Sequence, residues 1–267
     1  MNDVKNYTQA NRAAWNEAMP HHQKANGDKW DKAFSKPGFS VINEPELSLI
    51  QSLNIQGLKI AHVCCNNGVE LMSLKNMGAG ECVGFDISDG AIQEAQERAD
   101  RLGIPCEFVQ SDIYEIPEKY YDTFDIVYIS IGCLGWMPAI GRFFGKVAAL
   151  LNESGELFIY ESHPFSAMLP PDEQEHVDPM QIIEPYFKKD PYVDNDGIDY
   201  VGKTTYKSKT MYWFVWTLSD IIMGIIENGL KLRHFSEYPD DISTLHGKNQ
   251  EHGPDIPLSY ILIAEKE

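Results

Sequence analysis

The sequence predicts an α/β fold, doubly wound, with a mostly parallel seven-stranded sheet. Three observations carry that expectation. Strand and helix patterns alternate between residues 58 and 162, as βαβ units require. The early strands are short continuous apolar runs, the mark of a sheet covered on both faces. A chain of 267 residues with 43% hydrophobic and 23% charged content suits one large globular domain with an ample core.

The first strand is Leu58-Lys59-Ile60-Ala61-His62-Val63-Cys64-Cys65, broken by Asn66-Asn67-Gly68. Helical spacing follows from Val69 to Met77, and Glu70 three residues after Asn67 suggests a capping box with Asn67 as N-cap. Cys82 to Ile87 reads as a second strand, and Asp89 is expected to cap a helix that stops at Gly103. Cys106 to Gln110, Phe124 to Ser130 and Gly155 to Ser162 supply strands three to five. A helix starts near Pro138, a residue suited to a first helical position. Residues 163–200 are rich in Pro, Asp and Glu and show no period. The polar-aromatic alternation from Tyr200 to Trp216 suggests a β-hairpin or edge strand. Residues 218–228 form an amphipathic helix closed by Gly229, and Leu230–Phe235 and Leu258–Ala264 complete the seven strands. The parts are therefore 1–40, an N-terminal helical lid; 41–162, a cofactor-binding core; 163–216, an inserted cap before the last helix; and 217–267, that helix with the last two strands.

Charge narrows the partners. The formal net charge is −18, with 22 Lys+Arg against 40 Asp+Glu. No basic cluster exists to hold a phosphate backbone or an anionic membrane, so neither nucleic acid nor membrane is expected as a partner. Residues 165–200 hold nine acids against Lys188 and Lys189. The N-terminus lacks an apolar leader and no apolar run is long enough to span a bilayer. Five cysteines, an odd number in apolar surroundings, read as reduced and buried, which places the protein in the cytoplasm. The adjacent pair Cys64-Cys65 lacks metal-site spacing, and no metal is expected.

The turn between the first strand and first helix is where doubly wound proteins hold cofactors. Cys65, Asn66, Asn67 and Gly68 contain one glycine, which poorly supports the close pyrophosphate approach of a dinucleotide site. A nucleotide-dependent oxidoreductase is thereby disfavoured. Asp86, with Ile87, ends the second strand, where a carboxylate accepts hydrogen bonds from a ribose cis-diol. Ser111, Asp112 and Ile113 follow the third strand, where an Asp takes the exocyclic amine of an adenine.

In these stretches the chain resembles the class I S-adenosylmethionine-dependent methyltransferases. It is most similar to a small-molecule branch whose first motif reads roughly L-Q-C-N-F-G. The matching residues are His62 to Gly68, Val83 to Ser88, Phe108 to Ile113, Phe124 to Trp136, Glu161 to Phe165, Asn11 to Glu17, Trp216 to Asp220 and Pro257 to Ser259. The resemblance implies a Rossmann-like fold and S-adenosyl-L-methionine as cofactor, with S-adenosyl-L-homocysteine as product. It implies that Gly68 and its neighbours face the methionine part, that Asp86 meets the ribose, that Asp112 and Ile113 hold the adenine, and that Ser130 lines the floor. Relative to the wider family, Cys64 and Asn66 replace two glycines and His62 replaces a common acid.

The acceptor is expected at the ends of strands four and five. His163 is the candidate general base, because an unperturbed imidazole titrates near neutrality. Trp136, Phe165, Tyr186, Tyr206, Trp213 and Trp216 are candidate substrate contacts, and Asn11 and Trp15 are candidate lid residues over the cofactor. An acidic cover favours a neutral or cationic small molecule as methyl acceptor. The alternative is an S-adenosylmethionine-binding protein that transfers no methyl group and instead assists a rearrangement or senses the cofactor.

Overall fold

A computed structural model describes residues 2–174, 176–252 and 254–267. Met1, Glu175 and Gly253, which fall in the expected lid, cap and C-terminal parts, lie outside the described residues. The chain opens with α1 (Asn2–Asn26) and α2 (Lys29–Phe34), followed by α3 (Glu46–Ser52), which no sequence signal marks. The alternating core then runs β1 (Ile60–Val63), α4 (Val69–Asn76), β2 (Cys82–Asp86), α5 (Asp89–Leu102), β3 (Glu107–Gln110), β4 (Phe124–Ile129), α6 (Ile140–Leu150) and β5 (Leu151–Ser162). Two short strands, β6 (Tyr192–Asp194) and β7 (Met211–Trp213), interrupt an otherwise irregular segment. The chain closes with α7 (Leu218–Ile226), β8 (Leu230–Tyr238), α8 (Gly247–His252) and β9 (Ser259–Lys266).

Seven strands form one sheet in the order β3-β2-β1-β4-β5-β9-β8. β1 to β5 are parallel, whereas β9 runs antiparallel to both β5 and β8. One face is covered by α6 and α7 through Phe143, Phe144, Val147, Ile221 and Ile225. The other is covered by α3, α4 and α5 through Ile50, Leu71, Met72, Ile92 and Ala95. β1 is buried at every position, and three of its four residues are apolar, as a strand covered on both faces requires. Strand order reverses between β1 and β4, and that switch point opens a crevice beyond the strand ends.

Several local expectations are corrected. The N-cap of α4 is Gly68 in a left-handed conformation, and Asn67 forms no capping box. Ser88, not Asp89, caps α5 by accepting a hydrogen bond from Ala91 N. α6 begins at Ile140 behind Ala139, so Pro138 lies ahead of the helix. Residues 200–210 form no hairpin; β7 pairs instead with β6 from the stretch that shows no period. The amphipathic helix after the cap is followed by one more, α8. The N-terminus of α7 is fixed by a capping box in which Thr217 and Asp220 satisfy each other's backbone N–H groups.

Candidate active site

The first loop builds one wall. Cys64, Asn66 and Gly68 adopt φ of +58°, +46° and +77°. These are alternate positions, the same three at which the wider family carries glycine. The left-handed turn is therefore kept, with two side chains bearing the strain that glycine avoids. Gly68 itself is required by packing, because a Cβ there would stand 2.5 Å from the Phe108 ring. Register brings Val63 beside Phe85, so the loop lies next to the end of β2. Asp86 Oδ2 accepts a hydrogen bond from Asn66 N at 2.9 Å, and Oδ1 accepts one from Ser88 N at 2.8 Å. Burial pushes the Asp86 pKa up, while these backbone donors oppose the shift.

Asp112 lies two residues beyond the end of β3. Its Oδ1 accepts from Tyr114 N at 3.0 Å, and Ser111 N donates to Asp86 O at 2.8 Å. Ser130 follows β4, with Oγ 3.0 Å from His62 Nε2. His62 is fully buried, and burial pushes its pKa down to about 3, so the ring under the cleft is neutral. Glu161, at the end of β5, accepts N–H bonds from Gly132, Cys133, Leu134 and Ser162. It anchors the turn that carries Trp136.

These strand ends open into a cleft of about 1230 Å³ lined by both loops and cover. Of the cofactor candidates, Cys65, Asn66, Asn67, Asp86 and Ile87 line it, as do Ser111, Asp112, Ile113 and Ser130. Asn11 and Trp15 line it from α1. Gly68 does not; it shapes the loop from behind. Of the acceptor candidates, Trp136, His163, Trp213 and Trp216 line the cleft. Phe165, Tyr186 and Tyr206 do not. Tyr186 OH accepts from Leu218 N at 3.1 Å, and Tyr206 stacks on His21 at 4.4 Å, bracing the cover against α1. Phe165 N donates to His163 Nδ1 at 3.0 Å.

That last bond bears on His163. With Nδ1 accepting, Nε2 carries the proton of the neutral ring, and it lies 3.0 Å from Glu237 Oε1. Burial pushes the His163 pKa down, against the neighbouring carboxylate. The lone pair of the neutral ring is on Nδ1 and is taken by Phe165 N, while Nε2 faces the Glu237 carboxylate without a hydrogen bond, so the ring presents no free lone pair to the cleft.

Sequence reasoning missed several cleft residues. His22 donates from Nε2 to Ile198 O at 2.7 Å, joining α1 to the cover. Tyr200, from the cover, accepts from Asn66 Nδ2 at 3.3 Å and meets His22 edge-on at 4.7 Å. Tyr200 opens the polar-aromatic stretch in the sequence, but only the fold brings it to the β1 loop. Glu161 stands two residues before His163, but only the register reveals the four amides around it. Among the described residues, no group of three or more His, Cys, Asp or Glu is placed to hold a metal ion. No helix among them is long and apolar enough to cross a membrane.

A family model described as a methyltransferase domain matches residues 60–155, the segment that carries the β1 loop, Asp86, Asp112 and Ser130. This segment is thus similar to a methyltransferase domain. Two curated transferases resemble part of the chain. One is a ubiquinone biosynthesis O-methyltransferase from Azorhizobium caulinodans, 27% identical over 39% of this chain and 40% of that protein. The other is a tRNA U34 carboxymethyltransferase from Campylobacter hominis, 30% identical over 40% of this chain and 37% of that protein. The chain thus spans about two fifths of the length of these curated relatives. A magnesium protoporphyrin IX methyltransferase from Synechocystis PCC 6803, solved with bound S-adenosylhomocysteine, shares the methyltransferase fold at a TM-score of 0.57, with 16% identity over 96% of this chain and 97% of that one.

Proposed function

We propose that this protein transfers a methyl group from S-adenosylmethionine to a small-molecule acceptor. The observation that carries the reading is the meeting of three strand ends in one cleft: the left-handed loop after β1, Asp86 after β2 and Asp112 after β3. The fit to the cofactor rests on donor chemistry. Each of the two carboxylates keeps acceptor capacity beyond the backbone bonds it already takes, as a ribose diol and an exocyclic amine require. Ile87 and Ile113 supply apolar faces beside them for a base. In this reading Cys65 to Asn67 and Ser130 border the methionine part, residues 1–40 act as a lid and residues 163–216 as the substrate cover.

When bound, the cofactor supplies an electrophilic methyl on a sulfonium. The chain's own residues then orient the acceptor and exclude water, which is where positioning gains its rate. A small acceptor is favoured over nucleic acid by the lining, which presents nine carboxylates against Lys29 and Lys203. A phosphate backbone would meet repulsion there. The five cysteines are all free, which fits a cytoplasmic location.

The test is calorimetry with S-adenosylhomocysteine on the wild type and Asp86→Ala. Binding by the wild type, weakened at least tenfold in the variant, is expected, since a bond to a charged group contributes about 1.5–3 kcal/mol. Absence of binding by the wild type would overturn the proposal. Methyl-labelled cofactor then separates acceptors: label is expected in the small-molecule fraction of an extract and not in RNA.

A further inference from the structure

Three tryptophans from three separate parts of the chain meet in this cleft. Trp15 comes from α1, Trp136 from the turn after β4, and Trp213 from β7. Trp15 and Trp136 sit edge to face at 5.4 Å and 71°, and Trp136 and Trp213 at 4.8 Å and 89°. All three are half-buried, so each keeps surface toward the cleft. Their approach is built in. A Cβ on Gly135 would stand 2.2 Å from the Trp213 ring, so only glycine lets the indole lie against the turn. Phe214 N also donates to Gly135 O at 2.7 Å, stitching the cover strand to the same turn.

Perpendicular aromatic faces attract cations, because each ring carries a negative face. Among the described residues, the chain's own cations lie over other rings: Lys29 over Trp30, Lys119 over Tyr120 and Lys188 over Tyr192, for example. None lies over Trp15, Trp136 or Trp213. The surrounding lining is strongly acidic. A corner of three indoles, without a protein cation and inside an anionic cleft, fits a positively charged ligand group better than a neutral or anionic one.

We propose that Trp15, Trp136 and Trp213 form a box for the amino group of the methyl acceptor, an amine that leaves as a more highly methylated ammonium. The inference rests on the methyl-transfer reading and names its substrate class. In the step, the nitrogen lone pair forms the new bond to the methyl carbon while the carbon–sulfur bond breaks with its electrons going to sulfur. Positive charge moves from sulfur to nitrogen, where the box stabilises it. The attacking amine is the free base, its ammonium proton having gone to solvent before binding; a tertiary one then has no proton to lose in the transfer, which agrees with a His163 whose lone pair on Nδ1 is taken by Phe165 N.

The experiment uses choline and its neutral isostere 3,3-dimethylbutan-1-ol as probes, titrated into the full chain saturated with S-adenosylhomocysteine. Choline is expected to bind at least fivefold more tightly than the alcohol. Trp213→Leu should abolish that preference and Trp213→Phe should retain part of it, with S-adenosylhomocysteine affinity kept in both as the check on folding. Equal affinity for the two probes, in a protein that binds S-adenosylhomocysteine, would overturn the box and leave the methyl-transfer reading standing. Choline binding that S-adenosylhomocysteine displaces would assign the box to the cofactor's own sulfonium and also overturn the proposal. Failure to bind S-adenosylhomocysteine would instead defeat the underlying reading.

Discussion

Asn66 holds three tasks in one residue: a φ of +46°, an N–H donated to Asp86, and an amide donated to Tyr200. An Ala there keeps the backbone donor but pays for the left-handed angle at about 1–2 kcal/mol. Gly accepts the angle freely and costs only unfolded-state entropy, about 0.4–1 kcal/mol. Asn66→Ala is therefore expected to be about 1 kcal/mol less stable than Asn66→Gly, measured by urea unfolding. Equal stability would show that the loop relaxes to another conformation. The position of this turn was legible, since Asn-Asn-Gly is turn chemistry between two periodic segments. Its cause was not legible: the carboxylate that steadies Asn66 sits 20 residues away and reaches it only through the register of β1 on β2. Glu161 was hidden for the same reason, its amide donors lying 27 to 29 residues earlier except for Ser162.

At the scale of elements, α1 joins core to cover. On the core side, Arg12 and Asn16 bond Asp89, and Asn16 Oδ1 accepts from Ser88 Oγ. On the cover side, Asn11 accepts from Tyr212 N at 2.7 Å and donates to Tyr212 O at 3.0 Å, replacing a missing strand partner for β7. Magnitudes rank these contacts. The Arg12–Asp89 pair is half-exposed and contributes less than about 1 kcal/mol. Asn11 is buried, and removing it orphans two backbone groups at about 1–3 kcal/mol each. Asn11→Ala is thus expected to speed amide hydrogen exchange at 211–213 by tenfold or more, whereas Arg12→Ala leaves it within a factor of about three. Similar exchange in both variants would show that the clamp does not hold the cover. The lid helix was legible as a helix, because the dense pattern of Asn11, Trp15 and their neighbours is local. The β6–β7 pair was not, since its strands are three residues long and lie far apart in a stretch without period. Such a pair is held by α1 rather than by its own alternation.

The sheet as a whole was legible because burial on both faces forces continuous apolar strands, and all seven appear within a few residues of their expected bounds. What the pattern does not expose is the polar pair this core encloses. Tyr128, fully buried on β4, donates its hydroxyl to Glu46 on α3, and His62 meets the same ring edge-on at 4.8 Å. Burial pushes Glu46 up to about 7 from 4.5, and pushes His62 down to about 3 from 6.5. The signs oppose each other. The folded carboxyl holds its proton more tightly than the unfolded one, so its contribution is full below pH 4.5 and is lost as pH rises through 7. The folded imidazole is the reverse: its contribution is present above pH 6.5 and is lost as pH falls toward 3. Between 4.5 and 6.5 the two slopes cancel. Glu46→Gln keeps an acceptor for Tyr128 and removes only the titration. Its stability relative to the wild type is therefore expected to rise from pH 4.5 to pH 7 by on the order of 2–3 kcal/mol, one pKa unit being about 1.4 kcal/mol. Denaturant unfolding of both proteins at several pH values measures the gap directly, and contributions from every other carboxylate drop out of the difference. Two parallel curves would mean that Glu46 titrates in the fold as it does in the unfolded chain, and that the Tyr128 hydroxyl holds it as an ion at the heart of the sheet.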